Sequence, residues 1–176
     1  MKITKIIWAS TSILLLAMIL GSINNLSAQE KDQKIAKSKL PKTVQEAFKA
    51  AYPNAKIIGT SVEKENNVTY YEVESMDGKQ RRDFLYTADG KVFEMEEVTA
   101  ENDLSTVIKE TIKKDFSGFK FNSAEKTTKG IEVSYDVVLK KGKSGFAVTF
   151  DAAGKVIKKT VIKEKAKEEK DEKEKD

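Results

Sequence analysis

Residues 71–92 read YEVESMDGKQRRDFLYTADGKV, and residues 135–156 read YDVVLKKGKSGFAVTFDAAGKV, 64 positions later. Both stretches put turn residues at the same two places, Gly78-Lys79 with Gly90-Lys91 and Gly142-Lys143 with Gly154-Lys155. Between the turns, apolar residues alternate with polar ones, the period of a half-buried strand. Extending the 64-residue offset outward lays residues 40–98 on 104–162 without a gap. Leu40 then meets Leu104, Val44 meets Ile108, Phe48 meets Ile112 and Tyr52 meets Phe116. A constant offset through every turn reads as an internal repeat.

Each copy opens on a helical pattern. Leu40, Val44, Ala47, Phe48 and Ala51 recur at spacings of three and four; Pro41 suits the start and Pro53 stops the run. In the second copy Leu104, Val107, Ile108, Thr111 and Ile112 form the stripe, Asp103 is the expected cap, and Gly118 follows the end. Four period-two runs come after each helix: 55–65, 68–76, 79–88 and 91–98, then 119–129, 131–140, 143–152 and 155–162. The expected fold is α+β, a tandem helix plus four-stranded antiparallel meander with the helices on one face of the sheets.

Turn chemistry suggests a register. A two-residue loop at Asp77-Gly78 sets Tyr71 against Phe84 and Val73 against Arg82; one at Asp89-Gly90 sets Phe84 against Met95 and Tyr86 against Phe93. One face then collects Tyr71, Val73, Phe84, Tyr86, Phe93 and Met95. The second copy gathers Ile131, Val133, Tyr135, Val137, Leu139, Phe146, Val148, Phe150, Ile157 and Val161. That face should receive the helices, with its aromatics as core.

The opposite face carries the candidate site: Tyr70, Glu72, Glu74, Arg81, Asp83, Leu85, Glu94 and Glu96. This register lines up Glu72, Asp83 and Glu96 across three strands, where neighbours sit about 5 Å apart and like charges repel. Such a row could receive basic side chains of a partner or hold a hard cation through oxygen ligands. It could equally be a solvated strand face relieved by Arg81 beside Glu74. The corresponding row in the second copy is Asp136, Ala147 and Thr160. Charge is also divided: residues 40–103 carry 8 bases and 13 acids, residues 104–162 carry 12 bases and 6 acids.

Composition narrows the chemistry. The 176 residues include 32 Lys plus Arg and 28 Asp plus Glu, but no Cys and no His. Disulfides, thiol nucleophiles, thiolate clusters, Ser-His-Asp triads and imidazole ligands are excluded. No Gly-rich phosphate loop is present, and no catalytic residues or cofactor are expected.

The flanks read as an address and two polar tails. Lys2 and Lys5 precede an uncharged run from Ile6 to Ala28 that ends Leu26-Ser27-Ala28, the pattern of a signal peptide cleaved after Ala28. Cleavage removes Trp8, the sole tryptophan, and lowers the net charge from +4 to +2, so no nucleic-acid partner and no membrane attachment of the mature chain are expected. Residues 29–39 read as a linker. Residues 163–176, six bases and seven acids, read as a disordered or frayed-helical tail.

Leu40-Pro41, Val44, Phe48, Tyr52-Pro53-Asn54-Ala55, Tyr71-Glu72-Val73, Asp77-Gly78-Lys79 and Ala88-Asp89-Gly90-Lys91-Val92 together resemble the PepSY-like exported proteins of Bacteroidota, grouped with the beta-lactamase inhibitory protein fold. In the second copy Ser117 stands in place of the proline, and Asp151 leads the turn earlier. The resemblance covers residues 40–162. It implies two repeats, 40–98 and 104–162, whose sheets either join into one concave surface or stay separate, and a periplasmic, non-enzymatic protein. The expected function is protein binding or an inhibitor-like role with an envelope partner, through Tyr70, Glu72, Arg81, Asp83, Leu85, Glu94 and Glu96. The other expectation is a small ligand or cation on Glu72, Asp83 and Glu96.

Overall fold

The structure, a computed structural model, describes residues 33–65 and 67–163. The expected signal peptide, residues 29–32 and the tail beyond Lys163 lie outside the described residues. Nine antiparallel strands form one sheet in chain order: β1 (Gln33–Lys34), β2 (Lys56–Glu65), β3 (Val68–Asp77), β4 (Gln80–Thr87), β5 (Val92–Thr99), β6 (Lys120–Lys129), β7 (Glu132–Lys141), β8 (Ser144–Asp151) and β9 (Val156–Lys163). Two ten-residue helices, α1 (Lys42–Ala51) and α2 (Thr106–Asp115), precede β2 and β6. The two sheets expected from sequence are therefore continuous, joined where β5 pairs with β6 from Met95–Thr128 to Thr99–Ala124.

Both helices lie on the same face. Val44 and Phe48 of α1 pack on Val73, Phe84 and Tyr86; Ile108 of α2 packs on Val137, Leu139, Val148 and Phe150. The ladder carries one parity across the seam, from Phe84 through Met95 and Thr128 to Val133. The stretch expected as a linker is partly structured. β1 adds to β2, Lys37–Lys39 form a 3-10 turn, and Ile35 packs against the first core. The expected cap of α2, Asp103, is taken up in a 3-10 turn, and Ser105 accepts from the Ile108 amide at 3.3 Å instead.

The turns correct the register in two ways. Asp77 pairs with Gln80, so the first hairpin loop is Gly78-Lys79, and Tyr71 faces Tyr86 while Val73 faces Phe84. Gly78 has φ +59° and Lys79 is not among the residues with positive φ, which suits a turn with glycine in its first central place rather than one needing both residues left-handed. The slip is two residues, so every side chain keeps its face.

The second hairpin is different. Thr87 bonds Lys91 O at 2.9 Å and Gly90 bonds Thr87 O at 2.9 Å, with Gly90 at φ +83°. This is a three-residue loop closed by a left-handed glycine, and it inserts one residue between the Leu85–Glu94 and Tyr86–Val92 pairs. The extra residue is Phe93, which turns onto the helix-free face, contrary to the sequence expectation. In the second half Asp151, Gly154 at φ +82° and the Phe150–Val156 pair repeat the device, which leaves Ile157 at the bulge and 57% exposed. Ile131, expected in the core, sits in the turn between Lys129 and Glu132 and is 99% exposed.

Candidate functional site

The face opposite the helices carries no described element over it. All seven candidate residues, Tyr70, Glu72, Arg81, Asp83, Leu85, Glu94 and Glu96, are on it. They do not form the expected row. Asp83 is flanked by Glu74 and Glu96, whereas Glu72 lies opposite Leu85 and Ser61. The two-residue slip at Gly78 separates Glu72 from Asp83. Glu72 accepts a short hydrogen bond from the Ser61 hydroxyl. Among the described residues no three acidic side chains converge in a metal-ligand arrangement, so the expected cation row is not assembled.

Arg81 is opposite Met76 in the ladder, but its long side chain reaches back to Glu74 at 3.1 Å and to Asp83 at 2.9 Å. Burial works against its charge, and Asp83, Glu74 and Glu125 outweigh it, so the guanidinium is held more firmly charged than usual. Beyond Glu96 the sequence reading missed two acids that the β5–β6 seam brings in. Glu125 sits opposite Val98 and Asp136 opposite Glu125. Only knowledge that the two sheets are continuous could have placed them beside the first-half acids. Asp136 was also expected in a row with Ala147; it faces Thr149, whose hydroxyl donates to it at 2.5 Å.

This acidic centre is electrostatically unfavourable. Glu96 is pushed up to about 8 by burial, with Glu125, Glu94, Asp83 and Asp136 adding repulsion. Glu125, exposed as a residue, is raised by partial desolvation of its carboxyl and by Asp83, against the pull of Arg81. Asp136 is raised by burial, against the Thr149 hydrogen bond and Lys158. Neither Glu96 nor Glu125 has an ion pair or side-chain hydrogen bond within the described residues. Carboxylates in this condition gain from any cationic group that arrives.

Beside the acids stands an aromatic patch. Phe93 stacks on Tyr70 with centroids 4.4 Å apart, and the Lys129 ammonium sits 4.3 Å from the Phe93 ring centre while bridging to Glu94 at 3.2 Å. Leu85, half-buried, lies between this patch and Asp83. The arrangement has an acidic middle and an apolar flank.

A family model described as "Putative beta-lactamase-inhibitor-like, PepSY-like" matches residues 26–94 and again residues 69–158. The two matches overlap instead of dividing the chain at the 64-residue offset. Among solved structures the chain is similar to a BLIP-like protein of Bacteroides fragilis (15% identity, TM-score 0.54, covering 72% of this chain and 89% of that one). It is also similar to a "putative periplasmic" protein of Bacteroides eggerthii (16% identity, TM-score 0.58, covering 70% and 89%). At such identities the likeness is one of fold. No curated protein matches the sequence. No helix among the described residues is long and apolar enough to cross a membrane.

Proposed function

Because the chain belongs to the PepSY-like, beta-lactamase-inhibitor-like family, we propose that it is an exported periplasmic, non-enzymatic protein-binding module, built by tandem duplication, whose helix-free face docks an envelope protein. The partner presents Lys or Arg to the acidic centre and apolar side chains to the Leu85, Tyr70 and Phe93 flank. One observation carries this reading. Glu96 is half-buried and Glu125 stands exposed beside it; the two repel and are unpaired within the described residues, on a face that no described element covers. A basic side chain arriving there restores their ionised form and offsets the repulsion. Reactive groups play no part.

A photo-crosslinking amino acid at Leu85 of the mature chain, exposed to envelope extract, tests it. A discrete adduct, weakened by salt and lost in the charge reversal Asp83→Lys/Glu96→Lys, is the expected result. Adducts equal to those from a crosslinker at Val107, exposed on α2 beside the Gly154 turn, would overturn it.

A further inference from the structure

A second recognition feature lies on the helix side, away from the docking face. Where α1 ends, a cavity of about 280 Å³ opens between the helix, the 3-10 turn Lys37–Lys39 and the start of β2. Phe48, Tyr52, Ala55 and Ile57 form its walls, and Lys37 and Lys49 stand on its rim. Gln45, also at the cavity, spends its amide nitrogen on Leu40 O at 2.9 Å.

The two halves explain the space. The backbone at this corner is the same in both: Ala55 N bonds Tyr52 O at 3.2 Å, and Phe119 N bonds Phe116 O at 3.0 Å. The strand irregularity between Ile57 and Gly59 recurs between Phe121 and Ser123, again 64 residues on. At the positions of Ala55 and Ile57 the second half therefore has Phe119 and Phe121, both packed on its core. At these two positions the first half has smaller side chains on an equivalent frame, while Phe48 stands where the second half has Ile112. Its rim also differs in charge, because Lys37 stands where the second half has Glu101. Neither Lys37 nor Lys49 has a carboxylate partner among the described residues.

We propose that this cavity binds a small aryl carboxylate, its ring against Phe48, Tyr52 and Ile57 and its anionic end toward the Lys37 and Lys49 ammoniums. A concave apolar site with a few convergent polar groups is the usual form of a small-molecule pocket, and this volume suits a single ring with a short chain. Aromatic walls favour a ring over an alkyl chain through edge and offset-face contacts. Two cations without a carboxylate partner, and no acid on the rim, among the described residues favour an anion over a neutral or cationic head. The site does not depend on the docking face.

The experiment is amide NMR on the labelled mature chain with 3-phenylpropanoate, its neutral amide and hexanoate as separate probes. Shift changes confined to residues 37–57 are expected with 3-phenylpropanoate. Affinity should fall roughly fivefold for the amide and in Lys37→Gln/Lys49→Gln. Ala55→Phe, which gives the lining position the ring carried at 119, should abolish the changes while leaving the rest of the spectrum in place. Glu96→Gln, on the other face, should leave binding unchanged. Equal affinity for acid and amide, equal affinity for hexanoate, or changes centred on β3 to β6 would each overturn the proposal. The lysine pair keeps the test decisive if Ala55→Phe fails to fold.

Discussion

Phe93 lies against Tyr70 on the helix-free face, ring planes 29° apart, because the loop at Gly90 adds one residue to β5. The contact holds together the second and fourth strands of the first meander on a side that has no helix to do so. Phe93→Ala should lower unfolding free energy by about 1–2 kcal/mol, combining the lost stacking with lost apolar burial. Urea midpoints of the two proteins measure it, and an unchanged midpoint would mean the stack is idle.

The hairpin that exposes Phe93 also pins its helix. A Cβ on Gly90 would meet Thr43 O at 2.7 Å, and the Thr43 hydroxyl donates to Ala88 O at 2.5 Å. Gly78 has φ +59° in open space. Gly78→Ala should therefore cost about 1–2 kcal/mol from the left-handed backbone alone. Gly90→Ala should cost more, about 2–4 kcal/mol, since the helix must shift as well. Paired denaturation curves decide the order, and equal losses would show that the α1 contact yields freely.

Proton uptake gives the acidic centre a signature. Folded, Glu96 keeps its proton up to about pH 8; unfolded, it releases it near 4.5. Between those values the native state binds more protons, so stability must fall as pH rises through that window. Glu125 and Asp136 act in the same direction. Urea midpoints should drop from pH 5 to pH 8 in the wild type, and less in Glu96→Gln, whose advantage should grow with pH. Parallel curves for the two proteins would contradict the assignment.

Tyr86 is 1% exposed, and its hydroxyl has no hydrogen-bond partner within the described residues; burial, with a smaller push from Tyr52, raises that hydroxyl to about 12. Removing an unsatisfied buried hydroxyl relieves its desolvation cost. Tyr86→Phe should stabilise the chain by about 1 kcal/mol, read as a rise in melting temperature. A fall would reveal a partner for that hydroxyl.

Faces were legible in the sequence where pairings were not. A strand alternates with period two, so the slip from Asp77-Gly78 to Gly78-Lys79 left Val73, Phe84 and Tyr86 inside and Asp83, Leu85 and Glu96 outside. The slip did decide which acids are neighbours, and it removed Glu72 from the row. A bulge breaks parity, and nothing in Lys91-Val92-Phe93 announces one; only the three-residue loop required by Gly90 does, and that sequence fits a two-residue loop too. The contribution of Glu125 and Asp136 was invisible because it depends on β5 meeting β6 across the intervening helix, a non-local pairing that no local pattern encodes. The expected signal peptide and the charged tail fall on residues outside those the structure describes.

The seam between β5 and β6 has a mechanical consequence. The two apolar clusters share no residue, and the strands that join the halves are tied on the helix side by the charged Arg82, Glu97 and Lys126. A substitution that loosens one cluster should therefore leave the other packed, with the β5–β6 ladder as the link between them.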